Sequence, residues 1–328
     1  MKRVTISDVA KRANVSIATV SRVMSNSSVI SESTKKIVRQ AIEELKYIPN
    51  SIAQSLTNSN TNIIGIVLNS QDIDPLSNNF FSEIISNISD KLLESGYYTL
   101  YIHCSNSEKE MNNIQALVNS NRVDGLIFLR AYEDETLFKY LKDVDFPFVI
   151  IGTPKKINNY LWVDNDNIKT SYYITKKMIE EGRRKICFLG GPQSLNVTKF
   201  RYCGYEKALH EYRINVMKSN VLESTFNEEY AYNLIEEFIE HKKVDAIITT
   251  DDVFAIAATK VLQDKGFGNV KVTGYNNTSL RKYGRYKFMT VDINVKELGS
   301  AACKLLINKL KKVENKINFS IIETNIIE

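Results

Sequence analysis

The 328-residue sequence predicts a small all-helical head followed by a larger α/β body with parallel sheets. Two patterns support this fold class. In the first 45 residues, apolar side chains recur at helical spacing in three short segments separated by turn residues. From Asn62 onward, short apolar segments alternate with longer helical ones, as in parallel strands that are joined by helices.

The first predicted helix covers about residues 6–13. Thr5 stands immediately before it and three residues ahead of Asp8, which is the spacing of a capping box. Asn14 follows the helix, and asparagine tolerates the left-handed conformation that a tight turn requires. We therefore expect the chain to turn sharply at this position.

Two further helices are expected after that turn. Ser16 is placed to cap a second helix that ends at about Met24. A third helix is expected at about residues 32–45. The side chains predicted to face the core of the head are Val20, Val23, Ile37, Val38, Ala41, Ile42 and Leu45.

Two short helices joined by a tight turn are typical of a helix-turn-helix, whose second helix enters the major groove of DNA. The candidate base readers on that helix are Ile17, Ala18, Ser21 and Arg22. Arg22 suits a guanine, because a guanidinium matches the O6 and N7 acceptors, whereas Ile17 and Ala18 offer only apolar contacts. A helical bundle without a DNA role is the alternative interpretation.

The charge distribution favours a nucleic-acid partner for the head. Residues 1–60 carry nine basic and four acidic side chains, so the whole net charge of +5 falls within them. Residues 61–328 are balanced, with 34 basic and 34 acidic side chains. A local basic excess is typical of a surface that contacts phosphate, although a solvated surface could carry the same charge.

Composition limits the class of protein. The chain is 43% hydrophobic and 25% charged, which is ordinary for a globular protein. Its first residues lack the apolar stretch of a signal peptide, and no apolar run approaches the length of a membrane span. We expect a cytoplasmic protein without structural disulfides, whose scattered thiols are reduced and buried: Cys104, Cys187, Cys203 and Cys303.

The head resembles the LacI/GalR family of bacterial repressors. The resemblance is carried by residues 5–23, TISDVAKRANVSIATVSRV, and by residues 43–53, EELKYIPNSIA. One departure is Asn14, where the family usually has glycine. The resemblance covers the body more loosely and implies three parts: a DNA-binding domain at 1–48, a hinge helix or linker at 49–60, and an effector-binding domain at 61–328.

In that family, the hinge helix folds on operator DNA, and two copies insert a leucine into the minor groove at the centre of a palindrome. The matching leucine is Leu56, and Pro49 suits the start of such a helix. Without the resemblance, this segment would be interpreted as an ordinary amphipathic linker. The DNA contacts implied for this chain are Thr5, Ser16, Ile17, Ala18, Thr19, Ser21, Arg22, Asn50, Ala53 and Leu56.

The body is predicted to form two α/β lobes, because it is longer than one doubly wound domain requires. Strands are expected at 63–68, 99–103, 125–129, 148–151, 185–189, 246–250 and 271–275, and helices at 81–95, 169–181, 228–241 and 253–265 among others. The resemblance implies the fold of periplasmic sugar-binding proteins, with chain crossovers between lobes near 160–164, 289–294 and 319–322.

Ligands of open α/β sheets bind beyond the carboxyl ends of the strands, so a cleft between two lobes is the expected site. A sugar requires aromatic faces for its C–H surfaces and planar polar groups for its hydroxyls. Positions aligned with effector contacts in the family are Phe81, Trp162, Arg201, Phe226, Asp251 and Asn276. Each aromatic could instead be a core residue, and Arg201 and Asp251 could form a structural ion pair.

An enzyme is not expected. The chain has three histidines, and nothing pairs them with a nucleophile or with metal ligands. Gly190, Gly191 and Pro192 follow a strand but lack the Gly-Lys-Ser/Thr ending of a phosphate loop, so they are interpreted as a tight turn into the cleft. We expect neither a cofactor nor a metal.

These features together predict a transcriptional regulator, most simply a repressor of carbohydrate-utilisation genes. Segments 163–167, 274–278 and 290–299 resemble the maltose-operon repressor branch of the family, which implies a maltose-like effector. The expected partners are palindromic operator DNA, a small sugar and a second copy of the chain, with no membrane. Two alternatives stay open: a catabolite-control regulator with a phosphocarrier protein as corepressor, and a solute-binding protein.

Overall fold

The computed structural model describes residues 4–48, 60–69, 79–104, 106–131, 134–313 and 317–328. The chain divides into two compact units, Met1–Thr61 and Asn62–Glu328, which we call the head and the body. Each is described by itself below.

The described part of the head contains three helices around a small apolar core: α1 (Ile6–Ala13), α2 (Ile17–Met24) and α3 (Glu32–Leu45). Val9, Val20 and Val38, one from each helix, are fully buried at its centre. Tyr47 closes the core after α3. These helices are too short to be stable alone, so this shared core supplies most of their stability.

Local side-chain bonds set the two helix starts that the sequence predicts. Thr5 accepts a hydrogen bond from the Asp8 amide, and the Asp8 carboxylate accepts one from the Thr5 amide at 2.9 Å, which forms the expected capping box. Asn14 adopts the left-handed conformation with φ of 50°. Ser16 caps α2 by accepting a hydrogen bond from the Thr19 amide at 3.1 Å. These predictions are confirmed.

The predicted apolar face of α3 is wrong at one position. Val38 and Ala41 are buried, with Ile42 and Leu45 packed against them, but Ile37 is 52% exposed. Four-residue spacing placed Ile37 beside Ala41 on one stripe. Ala41 and Leu45 of that stripe do contact the core, so Ile37 alone of the predicted α3 positions is exposed.

The first lobe of the body holds a six-stranded sheet whose pairings are all parallel, in the order β11-β5-β4-β3-β1-β2. Its elements are β1 (Ile63–Asn69), α4 (Asn79–Glu94), β2 (Tyr98–Cys104), α5 (Ser107–Asn119), β3 (Gly125–Phe128), α6 (Thr136–Asp143), β4 (Phe148–Ile151), β5 (Trp162–Asn165), α12 (Val295–Leu310) and β11 (Phe319–Ile322).

The second lobe holds the sheet β12-β10-β9-β8-β6-β7, in which only β12 pairs antiparallel. Its elements are α7 (Asn167–Glu180), β6 (Ile186–Gly190), α8 (Asn196–Glu211), β7 (Val221–Glu223), α9 (Glu228–His241), β8 (Ala246–Thr249), α10 (Asp252–Asp264), β9 (Lys271–Tyr275), α11 (Ser279–Tyr283), β10 (Met289–Asp292) and β12 (Asn325–Ile327).

The buried strands explain why the body forms parallel sheets. Strands β3, β4, β6 and β8 are buried at every position, as expected where helices cover both faces of a sheet. Separate apolar clusters lie on the two faces of each sheet. The predicted fold class, a helical head with a two-lobed α/β body, is therefore confirmed.

The chain passes between the lobes after β5, after β10 and after β11. The Asn165 side chain joins these three passages: its Nδ2 donates to the Ile293 carbonyl at 3.0 Å and to the Ile322 carbonyl at 2.9 Å. Asn165 is 4% exposed, so both bonds are shielded from water. One carboxamide thus holds the three connecting segments in register.

The thiols depart from expectation at one position. All four cysteines are free, and Cys104, Cys187 and Cys303 are buried as predicted, whereas Cys203 is exposed on α8. It lies next to the apolar Tyr202 in sequence but on the outer face of the helix. Within the described ranges, no helix is long and apolar enough to cross a membrane.

Asp252, at the start of α10, is a fully buried carboxylate. It accepts hydrogen bonds from the Thr290 hydroxyl at 2.6 Å, and from the Thr278 amide at 2.7 Å and hydroxyl at 3.0 Å. Burial nevertheless raises the pKa of Asp252 from its ordinary value of 3.8 to about 7.

We predict that Asp252→Asn makes the folded chain less sensitive to pH. Because the folded-state pKa is raised, Asp252 takes up a proton on folding, so its contribution to stability is lost as pH rises from about 4 through about 7. The unfolding free energy of the variant relative to wild type should increase over that range by a few kcal/mol, on the order of 1.4 kcal/mol per pKa unit.

Urea unfolding between pH 5 and pH 8 measures this difference. Asp143→Asn is the matched control, because Asp143 is exposed at the end of α6. A difference between Asp252→Asn and wild type that stays constant across this range would contradict the prediction.

Candidate functional site

A cavity of about 90 Å³ lies between the lobes, at the carboxyl ends of both sheets. The first lobe contributes side chains that follow β3 and β4 and the start of α4, and the second lobe contributes side chains around the ends of β6, β8 and β9. This is the position that open parallel sheets offer to a ligand. We call it the interlobe cavity.

Five of the six predicted effector residues line the interlobe cavity: Phe81, Arg201, Phe226, Asp251 and Asn276. The structure does not bring Trp162 there. Trp162 is 5% exposed, stacks on Phe319 at 4.9 Å between ring centroids, and donates from Nε1 to the Ile157 carbonyl at 2.9 Å. It lies within β5 and packs on the neighbouring β11, so its ring has a core role.

Arg201 is a buried cation, 7% exposed, whose donors are directed at fixed acceptors. Its Nε donates to Asn167 Oδ1 at 2.8 Å, and its Nη1 donates to the Thr250 carbonyl at 2.7 Å. The guanidinium carbon lies 3.8 Å from the centroid of the Tyr275 ring. Burial lowers the pKa of the Arg201 guanidinium, which these contacts oppose.

A close helix contact sets the position of Arg201 on α8. Gly204, one turn further along, lies so close to α7 that an added Cβ would be 2.3 Å from the Ile168 carbonyl oxygen. Ser171 on α7 donates to the Arg201 carbonyl at 2.6 Å. Because no larger residue fits at Gly204, this glycine permits the close approach of α8 to α7.

Asp164 lies at the end of β5, where the chain leaves the first lobe. It accepts hydrogen bonds from the Thr153 amide at 2.8 Å, the Thr153 hydroxyl at 2.7 Å and Asn167 Nδ2 at 2.9 Å. Burial raises the pKa of Asp164, and these donors oppose that effect. Since Asn167 also accepts from Arg201, one chain of hydrogen bonds runs from Thr153 to the cation.

Asp251 and Asn276 are bonded to one another. Asn276 Nδ2 donates to Asp251 Oδ2 at 2.9 Å, and Asp251 Oδ1 caps α10 by accepting from the Val253 amide at 2.9 Å. Asn276 adopts φ of 96°, a conformation that asparagine tolerates better than most side chains. Asn276 lines the interlobe cavity, and an amide oxygen can accept a hydrogen bond from a ligand hydroxyl, as an aspartate could.

Two aromatic rings, one from each lobe, face the interlobe cavity. Phe81 lies on α4, and Phe226 follows β7 and stacks on Phe254 at 5.2 Å between centroids. Gly191 makes room for Phe226, because an added Cβ would be 2.6 Å from that ring. The turn after β6 therefore packs against a ring of the cavity wall, and its glycine has a packing role.

Arg130 lies over both rings. Its guanidinium carbon is 4.7 Å from the centroid of Phe81 and 5.0 Å from that of Phe226. The residue follows β3 and is partly buried. A single cation thus contacts aromatic side chains of both lobes.

The hydroxyls of Thr198 and Tyr275 are among the buried ones that lack a hydrogen-bond partner within the described residues. Thr198 Oγ1 belongs to a side chain that lines the interlobe cavity and is 1% exposed. Tyr275 Oη, next to Arg201, is equally buried. A buried unpaired hydroxyl is costly, so such groups require an explanation. Thr198 thus places a hydroxyl that has no partner among the described residues in the wall of the cavity.

Direct hydrogen bonds join the lobes around the cavity. Asn196 Nδ2 on α8 donates to the Thr153 carbonyl at 3.1 Å. On another side, Asn79 Nδ2 donates to the Ser279 hydroxyl at 2.5 Å, and the Ser279 amide donates to Glu83 at 3.2 Å. The cleft is therefore narrow, and a ligand larger than a few waters must widen it.

The sequence interpretation missed Arg130, Asn167 and Thr198. The rule that ligand groups follow the carboxyl ends of strands would have singled out Arg130, which comes two residues after β3. Asn167 and Thr198 lie in the first turns of α7 and α8 and carry no signal in the sequence beyond that position.

On the head, α2 presents one face to solvent. Ile17 is 50% exposed, and Ala18, Ser21 and Arg22 are exposed as well, while the opposite side of the helix is buried. These four positions share a helix face because they are spaced one and four residues apart. The arrangement suits a helix that lies in a groove.

Of the remaining predicted DNA contacts, three lie at or near helix caps of the head and three lie outside the described residues. Thr5 and Ser16 use their hydroxyls in helix caps, and the Thr19 hydroxyl is 2.9 Å from that of Ser16. Asn50, Ala53 and Leu56, with the rest of the predicted hinge at 49–59, lie outside the described residues. Six of the seven basic side chains of the described head are exposed, and Lys35 is buried beside Glu32.

Both units match known protein families. A family of bacterial regulatory proteins, the lacI family, matches residues 5–50. A second family, described as periplasmic binding proteins and the sugar binding domain of the LacI family, matches residues 61–328. The two matches together span almost the whole chain.

Individual proteins are similar over their full lengths. The HTH-type transcriptional regulator MalR of Streptococcus pneumoniae is 37% identical over 317 residues, which cover 95% of this chain and 94% of that protein. The transcriptional regulator CelR in complex with cellobiose is 25% identical with a TM-score of 0.75, covering 99% of both chains. The lac repressor dimer bound to operator and the anti-inducer ONPF has a TM-score of 0.86 at 22% identity, covering 100% of this chain and 98% of that one.

We predict that two buried threonines of the interlobe cavity respond oppositely to loss of their hydroxyls. Thr198→Val removes a hydroxyl with no partner among the described residues and should leave the unfolding free energy unchanged or raise it by about 1 kcal/mol. Thr250→Val is the matched control. The Thr250 hydroxyl accepts from the Gly191 amide at 3.2 Å, so its loss should cost about 1–2 kcal/mol. Urea unfolding measures the free energies of both variants. Equal destabilisation by the two substitutions would contradict the conclusion that the Thr198 hydroxyl has no partner among the described residues.

Proposed function

Because this chain belongs to the LacI family of bacterial regulatory proteins, we propose that it is a repressor of carbohydrate-utilisation genes whose operator affinity is set by a maltose-like sugar in the interlobe cavity. Membership of this family already establishes that the chain is a DNA-binding transcriptional regulator with a sugar-binding body, and such regulators are not enzymes. We further propose the identity of the effector, repression as the sign of regulation, and the residues that bind the effector and the DNA.

The residues that line the interlobe cavity support the proposal of a sugar effector. Phe81 and Phe226 offer apolar faces of the kind that pack against the C–H surfaces of a pyranose. Asn276 and Thr198 offer groups that can bond hydroxyls, beside the fixed charges of Arg201 and Asp251. Few ligands other than sugars combine apolar faces with so many hydroxyls.

Two resemblances support a maltose-like disaccharide. The chain is 37% identical to MalR of Streptococcus pneumoniae, and its segments 163–167, 274–278 and 290–299 resemble the maltose-operon branch. CelR, a relative of similar fold, has been solved with a disaccharide, cellobiose. A disaccharide is larger than the present cavity, so its binding requires movement of the lobes or of side chains between them.

For DNA recognition, we propose that the exposed face of α2 reads the operator. Arg22 would read a guanine, and Ile17 and Ala18 would contact thymine methyl groups. Asn50, Ala53 and Leu56 are proposed contacts of the hinge, with Leu56 as the minor-groove wedge.

We propose that the chain acts as a homodimer on a palindrome. A symmetric pair of heads reads two half-sites, which raises affinity without further contacts within either head. The first lobe carries exposed large side chains next to the edge strand β2, which are Leu93 at 60%, Tyr98 at 66% and Tyr101 at 40%. A second chain that covers them would also protect the edge of the sheet.

The regulation follows from coupling between two sites. A sugar that binds one arrangement of the lobes more tightly shifts the population toward it. If that arrangement changes the separation of two hinges across a dimer, operator affinity changes too. Coupling of this kind is typically about 1–3 kcal/mol, or roughly 5–150-fold in affinity.

We predict that Arg22→Ala reduces discrimination at one base pair in each half-site by about 1–3 kcal/mol, because a bidentate contact to guanine is lost. The DNA is a palindrome enriched from a random library by the full-length chain, and fluorescence anisotropy gives its affinity. Arg39→Ala is the control with the same change of charge, since Arg39 lies on α3 and donates to Asn26. Equal losses on the palindrome and on random DNA would rule out base reading by Arg22.

The second prediction for this proposal concerns the effector. Full-length wild-type chain should bind maltose in a calorimetric titration, and Thr198→Val should bind it about tenfold more weakly, because one hydrogen bond to a sugar hydroxyl is missing. The affinity of the same variant for the enriched palindrome should match that of wild type. Maltose affinity that is unaffected by this substitution would place the effector elsewhere.

A further inference from the structure

Arg130 occupies the space between the two rings that a sugar would use. It extends from the carboxyl end of β3 in the first lobe, and its guanidinium carbon lies within 5.0 Å of the ring centroids of both Phe81 and Phe226. Phe226 belongs to the second lobe, where Phe254 stacks on it. The guanidinium and Phe254 together therefore cover the Phe226 ring.

A guanidinium and a pyranose compete for the same kind of surface. The flat cation is attracted to the negative face of an aromatic ring, and a pyranose packs its C–H groups on that same face. Both cannot lie over Phe81 and Phe226 at once. The cavity of about 90 Å³ that is left beside Arg130 leaves room for only a few waters.

We propose that Arg130 is a specificity-determining residue of the effector site, which holds the slot between Phe81 and Phe226 and must be displaced by the ring of the sugar. This rests on the proposed function of the interlobe cavity as a sugar site. Arg130 acts as an internal competitor, and its contacts with rings of both lobes favour the closed arrangement that the cross-lobe hydrogen bonds also support.

Competition of this kind sets both affinity and selectivity. The apparent dissociation constant is the intrinsic one divided by the fraction of molecules in which Arg130 leaves the slot open. A ligand gains net affinity only when it replaces two cation–π contacts and still satisfies the surrounding polar groups. A sugar with one pyranose face and few hydroxyls is therefore disfavoured against a disaccharide that fills the slot and reaches Thr198 and Asn276.

The test compares three full-length proteins: wild type, Arg130→Met and Arg122→Met. Methionine keeps an unbranched side chain but removes the charge and the flat donor group. Arg122 is the matched control, because it is exposed and lies at the opposite end of β3. Maltose is titrated calorimetrically, and backbone hydrogen exchange of residues 79–94 and 224–228 is followed before maltose is added.

We expect Arg130→Met to bind maltose about tenfold more tightly than wild type, since the competitor is gone. Exchange in the two segments that carry Phe81 and Phe226 should be faster, because the contact between the lobes is weaker. Arg122→Met should match wild type in both measurements.

Maltose affinity that is unchanged or weaker in Arg130→Met would overturn the proposal, and weaker affinity would identify Arg130 as a direct sugar ligand. If wild type itself does not bind maltose, the maltose assignment of the proposed function fails, and hydrogen exchange alone decides on Arg130. Faster exchange in both segments then supports its role between the rings, and unchanged exchange overturns it.

Discussion

The buried guanidinium of Arg201 is the interaction on which the interlobe site depends. A cation that is 7% exposed has lost nearly all its hydration, so its donors must meet acceptors of the protein. Asn167, the Thr250 carbonyl and the Tyr275 ring supply these contacts from three different elements. Removing the cation would leave these groups without a partner, and moving any of the three elements would strain the cation. The cavity wall is therefore rigid where Arg201 lies.

Other contacts connect the two lobes. The lobes meet through a few hydrogen bonds and the cation–π contacts of Arg130, and they are connected by three chain passages that Asn165 holds together. A joint of three short segments permits rotation of one lobe against the other but resists sliding. Closure around a ligand is the type of change that such a joint allows. Thr153 and Asp164 of the first lobe also connect to Arg201 through Asn167, so the hydrogen bonds around the cation involve both lobes.

Much of this could be predicted from the sequence, because the relevant signals are local. The caps at Thr5 and Ser16, the left-handed Asn14 and the buried strands all follow from residues within a few positions of one another. The failures involve distant contacts. Trp162 packs on Phe319, a neighbour that only the strand order reveals, and Ile37 is exposed although Ala41 on the same stripe is buried. Arg130 follows the carboxyl end of β3, a position that the sequence does reveal, but its contact with a ring of the other lobe leaves no pattern there.

We propose that the interlobe cavity and the DNA-binding head are thermodynamically coupled. The most direct measurement is the calorimetric dissociation constant of maltose for the full-length chain, determined alone and with saturating operator DNA. Coupling is reciprocal, so a sugar that alters operator affinity must bind with a different affinity when the operator is present. We expect the two maltose dissociation constants to differ by roughly 5–150-fold, with weaker maltose binding on the operator if the chain is an inducible repressor. Two identical dissociation constants would contradict it.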